Sequence, residues 1–547
     1  MSIRPWWSAF VAGILAVAAG LTCLVLADRG LRSEPARADG VPVEIVRAAG
    51  VSGARPAVVV VHGYAGSGRL MRPFADTLAR RGYVVLLPDL AGHGANTRRL
   101  DVPSVIDPEI ASVVAHARGL PDVDPDRVTL LGHSMGAGAV VRSGAADPRI
   151  AATVAISLPG SGTGPGPRRL LLIVGALEPA GFRAAGEQAA GEQAAGDRST
   201  GDRRLVSVPF VEHISVLFAP RTHREAAAWL DAAVGNTAAG SGIVPLRRVT
   251  AGTFTLLGAL LLLAAALARG SAPRPTSPGG IASGSGGVAS GPGGTASGSG
   301  GAVSGSDGPA PNPDGLGPGA SPVGAGPAGP EPGHHGGTRT PPGPIRPGTL
   351  RRPVTWAAVG AASVLGLLGG GVGTVAAPSP VTGYLIGYFA AVGGGLAVAA
   401  GVLTGWRRPP VPGWTAAVSM LAGGVAVVVP VQLGLTLMVP HGQRWLLVAA
   451  LASATAALLA GARALAGPGW DLAVLAGTAV PLAAAAVAGF APGFLTLVAP
   501  LIAVLFALYA LLAAVARRGG AAWWSPIAAG AVMIAWPVAI ALPVTFG

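Results

Sequence analysis

The chain has 547 residues, of which 51% are apolar and only 12% charged, against about 25% charged in a soluble globular protein, so a wholly water-soluble molecule is excluded. All of its cationic side chains apart from histidine are arginines, and they bring the formal net charge to +13. They stand singly or in pairs at the ends of apolar runs, with no basic stripe interleaved with aromatics, which excludes nucleic acid as a partner.

In chain order, residues 5–27 carry no charge and follow Arg4. The run is long enough to cross a bilayer core of about 30 Å. It exceeds the roughly 7–15 apolar residues of a cleavable signal. Residues 1–27 are therefore expected to form a membrane anchor, with Val25-Leu26-Ala27 marking the cleavage site if the segment is a signal instead. Cys23 is the only cysteine, so no disulfide can form within the chain. The preceding Gly20-Leu21-Thr22 is a poor lipoprotein box, which leaves Cys23 as a membrane-buried apolar residue.

From residue 41 to 234 short β-rich runs alternate with helical stretches, the pattern of a mostly parallel sheet with crossover helices. The expected strands are 57–61, 83–87, 128–131, 152–156, 170–174 and 205–208. Their continuous apolar character implies burial on both faces. The third strand runs into Gly132-His133-Ser134-Met135-Gly136 and then a helix start. This is GxSxG in the strand, turn and helix setting of a nucleophile elbow. Two further segments accompany it, Val61-His62-Gly63-Tyr64-Ala65-Gly66 and Pro88-Asp89-Leu90-Ala91-Gly92-His93-Gly94.

Together these motifs resemble the α/β-hydrolase superfamily, over about 190 residues. The resemblance implies a doubly wound α/β fold with Ser134 as nucleophile. It also implies an oxyanion hole built from the backbone N–H groups of Tyr64 and Met135. The acid and base follow in the order Ser, Asp or Glu, His. Glu178, after the strand 170–174, fills the acid's place, and His213, after the strand 205–208, fills that of the base. Glu212 and His223 are the competitors. His93 and His133 are read as structural. The loop 158–167 is too short for a lid, so the site is expected to be open. A small Ala-Ala-Gly-Glu-Gln repeat between Glu178 and the last strand is read as a polar, exposed expansion.

A further span is expected at 249–268, followed by a disordered Gly/Ser/Pro-rich linker at 269–353. About seven more spans fill 354–547, near 354–376, 381–406, 414–439, 445–462, 472–490, 495–515 and 522–545. Their central positions carry no Asp, Glu, Lys or Arg, which argues against an ion path. With the amino terminus inside, Arg269, Arg351-Arg352, Arg407-Arg408, Arg463 and Arg517-Arg518 all fall on the cytoplasmic side, and the hydrolase outside. Arg29, Arg32, Arg247-Arg248 and Arg444 then stand on the wrong side.

The expectation is a membrane-tethered serine hydrolase of the esterase or lipase kind, integral to a bacterial cytoplasmic membrane. Its partners would be an ester or lipid-like substrate and membrane lipid, and it would use no metal or other cofactor. The alternative is a transporter or scaffold with an accessory or inactive hydrolase fold.

Overall fold

The computed structural model describes residues 5–102, 105–160, 166–191, 199–200, 203–237, 243, 245–270, 352–405, 440, 442, 444–467, 469–518 and 522–544. Most of the expected linker, the expected span 414–439 and the Arg407-Arg408 pair lie outside them.

Nine strands form one sheet: β1 (Leu31–Ala38), β2 (Val41–Ala48), β3 (Arg55–Val61), β4 (Val84–Pro88), β5 (Val123–His133), β6 (Thr153–Ile156), β7 (Leu170–Gly175), β8 (Ser199–Thr200) and β9 (Arg203–Val208). Their order is β1-β2-β4-β3-β5-β6-β7-β9-β8. The six strands from β4 to β9 in that order are parallel, while β1, β2 and β8 join antiparallel at the edges. The α/β part is thus an α/β-hydrolase fold, mostly parallel as expected.

The sheet starts earlier than the sequence suggests, because β1 and β2 form a hairpin over the turn Asp39-Gly40, both with positive φ (48° and 83°). An Asp-Gly pair is the residue choice such a two-residue turn requires. The polar run in β1 hides the strand, since most of its residues are exposed and no hydrophobic alternation marks them.

Each central strand feeds two cores. Along β3, Val58 and Val60 point to the side of α2 (Arg72–Ala79) and α6 (Pro220–Val234), with Phe74, Leu78 and Leu230. Ala57, Val59 and Val61 point to the side of α3 (Ile106–Arg118) and α4 (Met135–Ala146), with Ile110, Val113 and Val140. Successive strand side chains take opposite faces, so a continuous valine run serves both layers. A further helix, α5 (Ala180–Ala190), follows β7.

The remaining helices are α1 (Pro5–Asp28), α7 (Arg247–Gly270), α8 (Arg352–Ala376), α9 (Pro380–Thr404), α10 (Arg444–Ala466), α11 (Asp471–Val487), α12 (Phe494–Arg518) and α13 (Ser525–Ala541). Among the described residues six helices are long and apolar enough to cross a membrane, and α11 and α13 are shorter apolar helices. The first pair, α1 and α7, packs closely through small residues: a Cβ at Gly20 would stand 2.8 Å from Ala251 O, and one at Gly258 2.7 Å from Gly13 O. Gly369 and Gly373 of α8 likewise abut Gly387 and Gly383 of α9. Small residues let apolar helices approach until their backbones touch.

The α/β part and these helices belong to one compact unit. Arg248 donates to Asp76 of α2 at 2.8 Å and also pairs with Asp28, while Arg80 donates to Ala27 O at 2.7 Å. Helix α2 is in this way fastened to the ends of α1 and α7.

Candidate active site

The strand order reverses between β3 and β5, and in a doubly wound sheet the crevice beyond the carboxyl ends of the strands at such a switch point is where ligands bind. Gly63 follows β3 there and Ser134 follows β5. Ser134 adopts φ 52° and ψ −118°, a conformation strained for a residue with a side chain. The elbow closes because its glycines lack side chains. A Cβ on Gly132 would lie 2.3 Å from Gly136 O, and one on Gly136 would lie 2.5 Å from His62 O. The Ser134 N–H donates to Ile156 O at 2.8 Å. Met135 opens α4, so its N–H is among the four that have no partner within the helix, at the positive end of the helix dipole.

His213 is brought to the serine by the turn after β9. Its Nε2 stands 3.0 Å from Ser134 Oγ. The ring is 3% exposed and lies between Phe182 and His133, with centroids 4.6 and 4.8 Å away. His133 Nε2–H donates to His213 O at 2.9 Å, and burial, with the neighbouring His213 ring, pushes the His133 pKa down to about 3. The competing groups are occupied elsewhere. Glu212 accepts from the N–H groups of Ile214 and Ser215 at 2.8 and 2.7 Å, closing the turn that carries His213. His223 is buried on the far face, stacked 4.0 Å from Phe74 and bonded to Thr77 Oγ1 and Leu217 O.

Glu178 reaches the site from the turn after β7, with its side chain fully buried. Oε1 lies 3.8 Å from His213 Nδ1, beyond hydrogen-bond range. The same oxygen accepts from Ser157 Oγ, and from the Gly175 N–H at 3.3 Å. Glu178 Oε2 and His213 Nδ1 are both buried without a hydrogen-bond partner. Ser157 is the residue that the sequence reasoning missed. It has φ 57° and sits just beyond β6, a strand-end position on the rim that holds the other three.

Tyr64 lies in the turn after β3, and its neighbour Ala65 has φ 60°. The Ala65 N–H donates to His93 Nε2 at 3.3 Å, and His93 Nδ1–H donates to Ala91 O at 2.8 Å. Accepting at one nitrogen and donating at the other requires neutral imidazole. Burial first, then the neighbouring His62 ring, pushes the His93 pKa well down. His62 does the same beside it, accepting from Leu90 N–H at 3.1 Å and donating to Gly63 O at 2.8 Å. Asp89 clamps its turn by accepting from the N–H groups of Gly68 and Ala95, each at 2.8 Å.

The expectation of an open site is corrected on one side. The Tyr64 ring meets Phe494 of α12 edge-on, with centroids 5.0 Å apart, and Tyr64 and Ala65 pack on the apolar core of the helical region. Gly92 O accepts from Val544 N–H at 3.1 Å, after α13. No lid inserted into the sheet is needed for this wall; the carboxy-terminal helices supply it.

Residues 52–177 match the family model described as serine aminopeptidase, S33. The quorum-quenching protein AidA from Acinetobacter baumannii is 33% identical over 106 residues, 18% of this chain and 34% of that protein. An uncharacterized protein of Mycobacterium tuberculosis strain H37Rv is 34% identical over 101 residues, 18% of this chain and 27% of its own. The chain thus spans about a third or less of the length of these curated relatives. Among solved structures, Est1E from Butyrivibrio proteoclasticus with ferulic acid bound is 16% identical, covering 37% of this chain and 99% of its own at a TM-score of 0.31. The α/β hydrolase GrgF from Penicillium is 13% identical, with 38% and 99% covered and a TM-score of 0.31. By family model and by sheet topology, the α/β part is an α/β-hydrolase domain.

Proposed function

We propose that this chain is a membrane-tethered serine hydrolase that cleaves an acyl ester or a related acyl bond. The reading is carried by one observation: His213 Nε2 lies 3.0 Å from Ser134 Oγ, on a strained elbow at the switch point of the sheet. In the proposed reaction the Ser134 hydroxyl attacks the acyl carbonyl while His213 Nε2 takes its proton. The oxyanion that forms is met by the N–H groups of Tyr64 and Met135. The proton then passes to the departing alcohol. Water repeats the sequence on the acyl-serine and releases the acid. Glu178 stabilises the imidazolium once its unpartnered oxygen turns to Nδ1, a link that is often long until substrate binds.

The test is fluorophosphonate labelling of the full chain in detergent, followed by a panel of acyl esters with aminoacyl arylamides beside them, since the matching family model is named for an aminopeptidase. Labelling that disappears in Ser134→Ala, with turnover of esters above amides, is the expected result. Labelling that persists in Ser134→Ala refutes the assignment.

A further inference from the structure

Arg444 is the first residue of α10 and is 6% exposed. A cation at the amino end of a helix opposes that helix's dipole, and a buried charge is costly without partners. Its guanidinium instead serves four backbone carbonyls. Nη1 donates to Ala539, Ile540 and Leu542 at 3.1, 2.7 and 2.9 Å, at the carboxyl end of α13 where a cation is favoured. Nη2 donates to Gly92 O at 2.7 Å, in the hydrolase domain. That carbonyl also receives the Val544 N–H, so two parts of the helical region converge on one atom.

From Gly92 the contacts run directly to the oxyanion loop. His93 follows Gly92 and accepts the Ala65 N–H at 3.3 Å. Tyr64 is held between His93 and Phe494, with ring centroids 5.9 and 5.0 Å away. We infer that Arg444 is a positioning residue for the oxyanion loop, which makes the carboxy-terminal helices part of the catalytic unit and not merely its anchor. This rests on the hydrolase reading proposed above. The fork geometry explains the residue type. A planar guanidinium can reach carbonyls in two directions at once, which an ammonium on a flexible stem does not reproduce. Releasing the Gly92 turn frees His93, then Ala65, and the Tyr64 N–H loses its aim at the position where negative charge develops. Such an effect belongs to the transition state and not to substrate binding.

The experiment uses the full chain in nanodiscs, a fluorogenic short-chain ester and a trifluoromethyl ketone, whose hydrate-like adduct with Ser134 carries the oxyanion. In Arg444→Met we expect kcat to fall on the order of 10-fold or more with KM within about twofold, and the ketone inhibition constant to rise by the same factor as kcat falls. Phe494→Ala should move the same parameters in the same direction. Amide hydrogen exchange across residues 62–66 should quicken in both. Tyr388→Phe removes the bond to Thr478 O, 2.6 Å long and inside the helical region, and controls for loss of bundle stability; its kcat should equal that of the wild type. Unchanged ketone inhibition and unchanged exchange in folded Arg444→Met overturns the inference, as does an equal loss in Tyr388→Phe. A wild type that neither turns over esters nor labels with fluorophosphonate overturns the hydrolase reading, and the catalytic role of Arg444 with it.

Discussion

Glu178 Oε1 and His213 Nδ1 stand 3.8 Å apart, while Ser157 Oγ hydrogen-bonds the same carboxylate oxygen. The carboxylate is held by Ser157 and stops short of hydrogen-bond contact with His213, the base in the proposed reaction. Ser134→Ala or His213→Ala should each remove most turnover, about 10³-fold or more, whereas Glu178→Ala should cost less. Steady-state kinetics on the best ester of the panel reads this order. Near-normal turnover in His213→Ala would discard the base assignment.

Ser157 offers a second test. Ser157→Ala takes a donor from a fully buried carboxylate, which should destabilise the fold by about 1–3 kcal/mol. Thermal unfolding of the variant measures the loss. A melting temperature equal to the wild type's would mean that this contact contributes nothing.

The elbow's tolerance is a steric matter. Gly136→Ala places a methyl group 2.5 Å from His62 O and 2.7 Å from Val61 O, contacts that only a backbone shift can relieve. We expect the variant to lose fluorophosphonate labelling even where it folds. Labelling at the wild-type rate would show that the turn yields without disturbing Ser134.

Stability should depend on pH through the buried histidines. The pKa of His133 is lowered from 6.5 to about 3, mainly by burial and next by His213, and that of His223 to about 4, by burial. Unfolding lets each take up a proton below pH 6.5, so their contribution is whole above that pH and is lost as pH falls toward 4. Each should remove about 1.4 kcal/mol per pH unit within this window. Melting temperatures at pH 7.5, 6 and 5 would show the decline, with a shallower slope in His223→Gln. A flat profile over that range would contradict the assignment.

Orientation in the membrane is a proposal that the arginine partners support. Two of the arginines that oppose an outside hydrolase are tied to protein groups, Arg248 to Asp76 and Asp28, and Arg444 to four carbonyls. Charges committed in this way serve the fold, which weakens their vote against the placement. A reporter active only in the cytoplasm should be silent when fused after Val234 and active when fused near Pro311. The reverse pattern would place the hydrolase inside and change the pool of substrates it meets.

Features written in local pattern were legible from the chain alone. The valine run of β3, the GxSxG turn and the long uncharged helices each follow from side-chain period or length within one segment, as bilayer thickness and strand pleat demand. The positions proposed for serine, base and acid were read from their order after successive strands. The hairpin β1-β2 left only its Asp-Gly turn as a signal, because its outer strand faces solvent. What tertiary structure alone decided is the choice of partners: Ser157 for Glu178, Phe494 for Tyr64, and Gly92 for Arg444 across 352 positions of sequence. A charged residue at a helix start reads as a flanking charge in any local window. Only the packing that buries it, and the carbonyls it must then satisfy, make it a tie between the carboxy-terminal helices and the turn at Gly92.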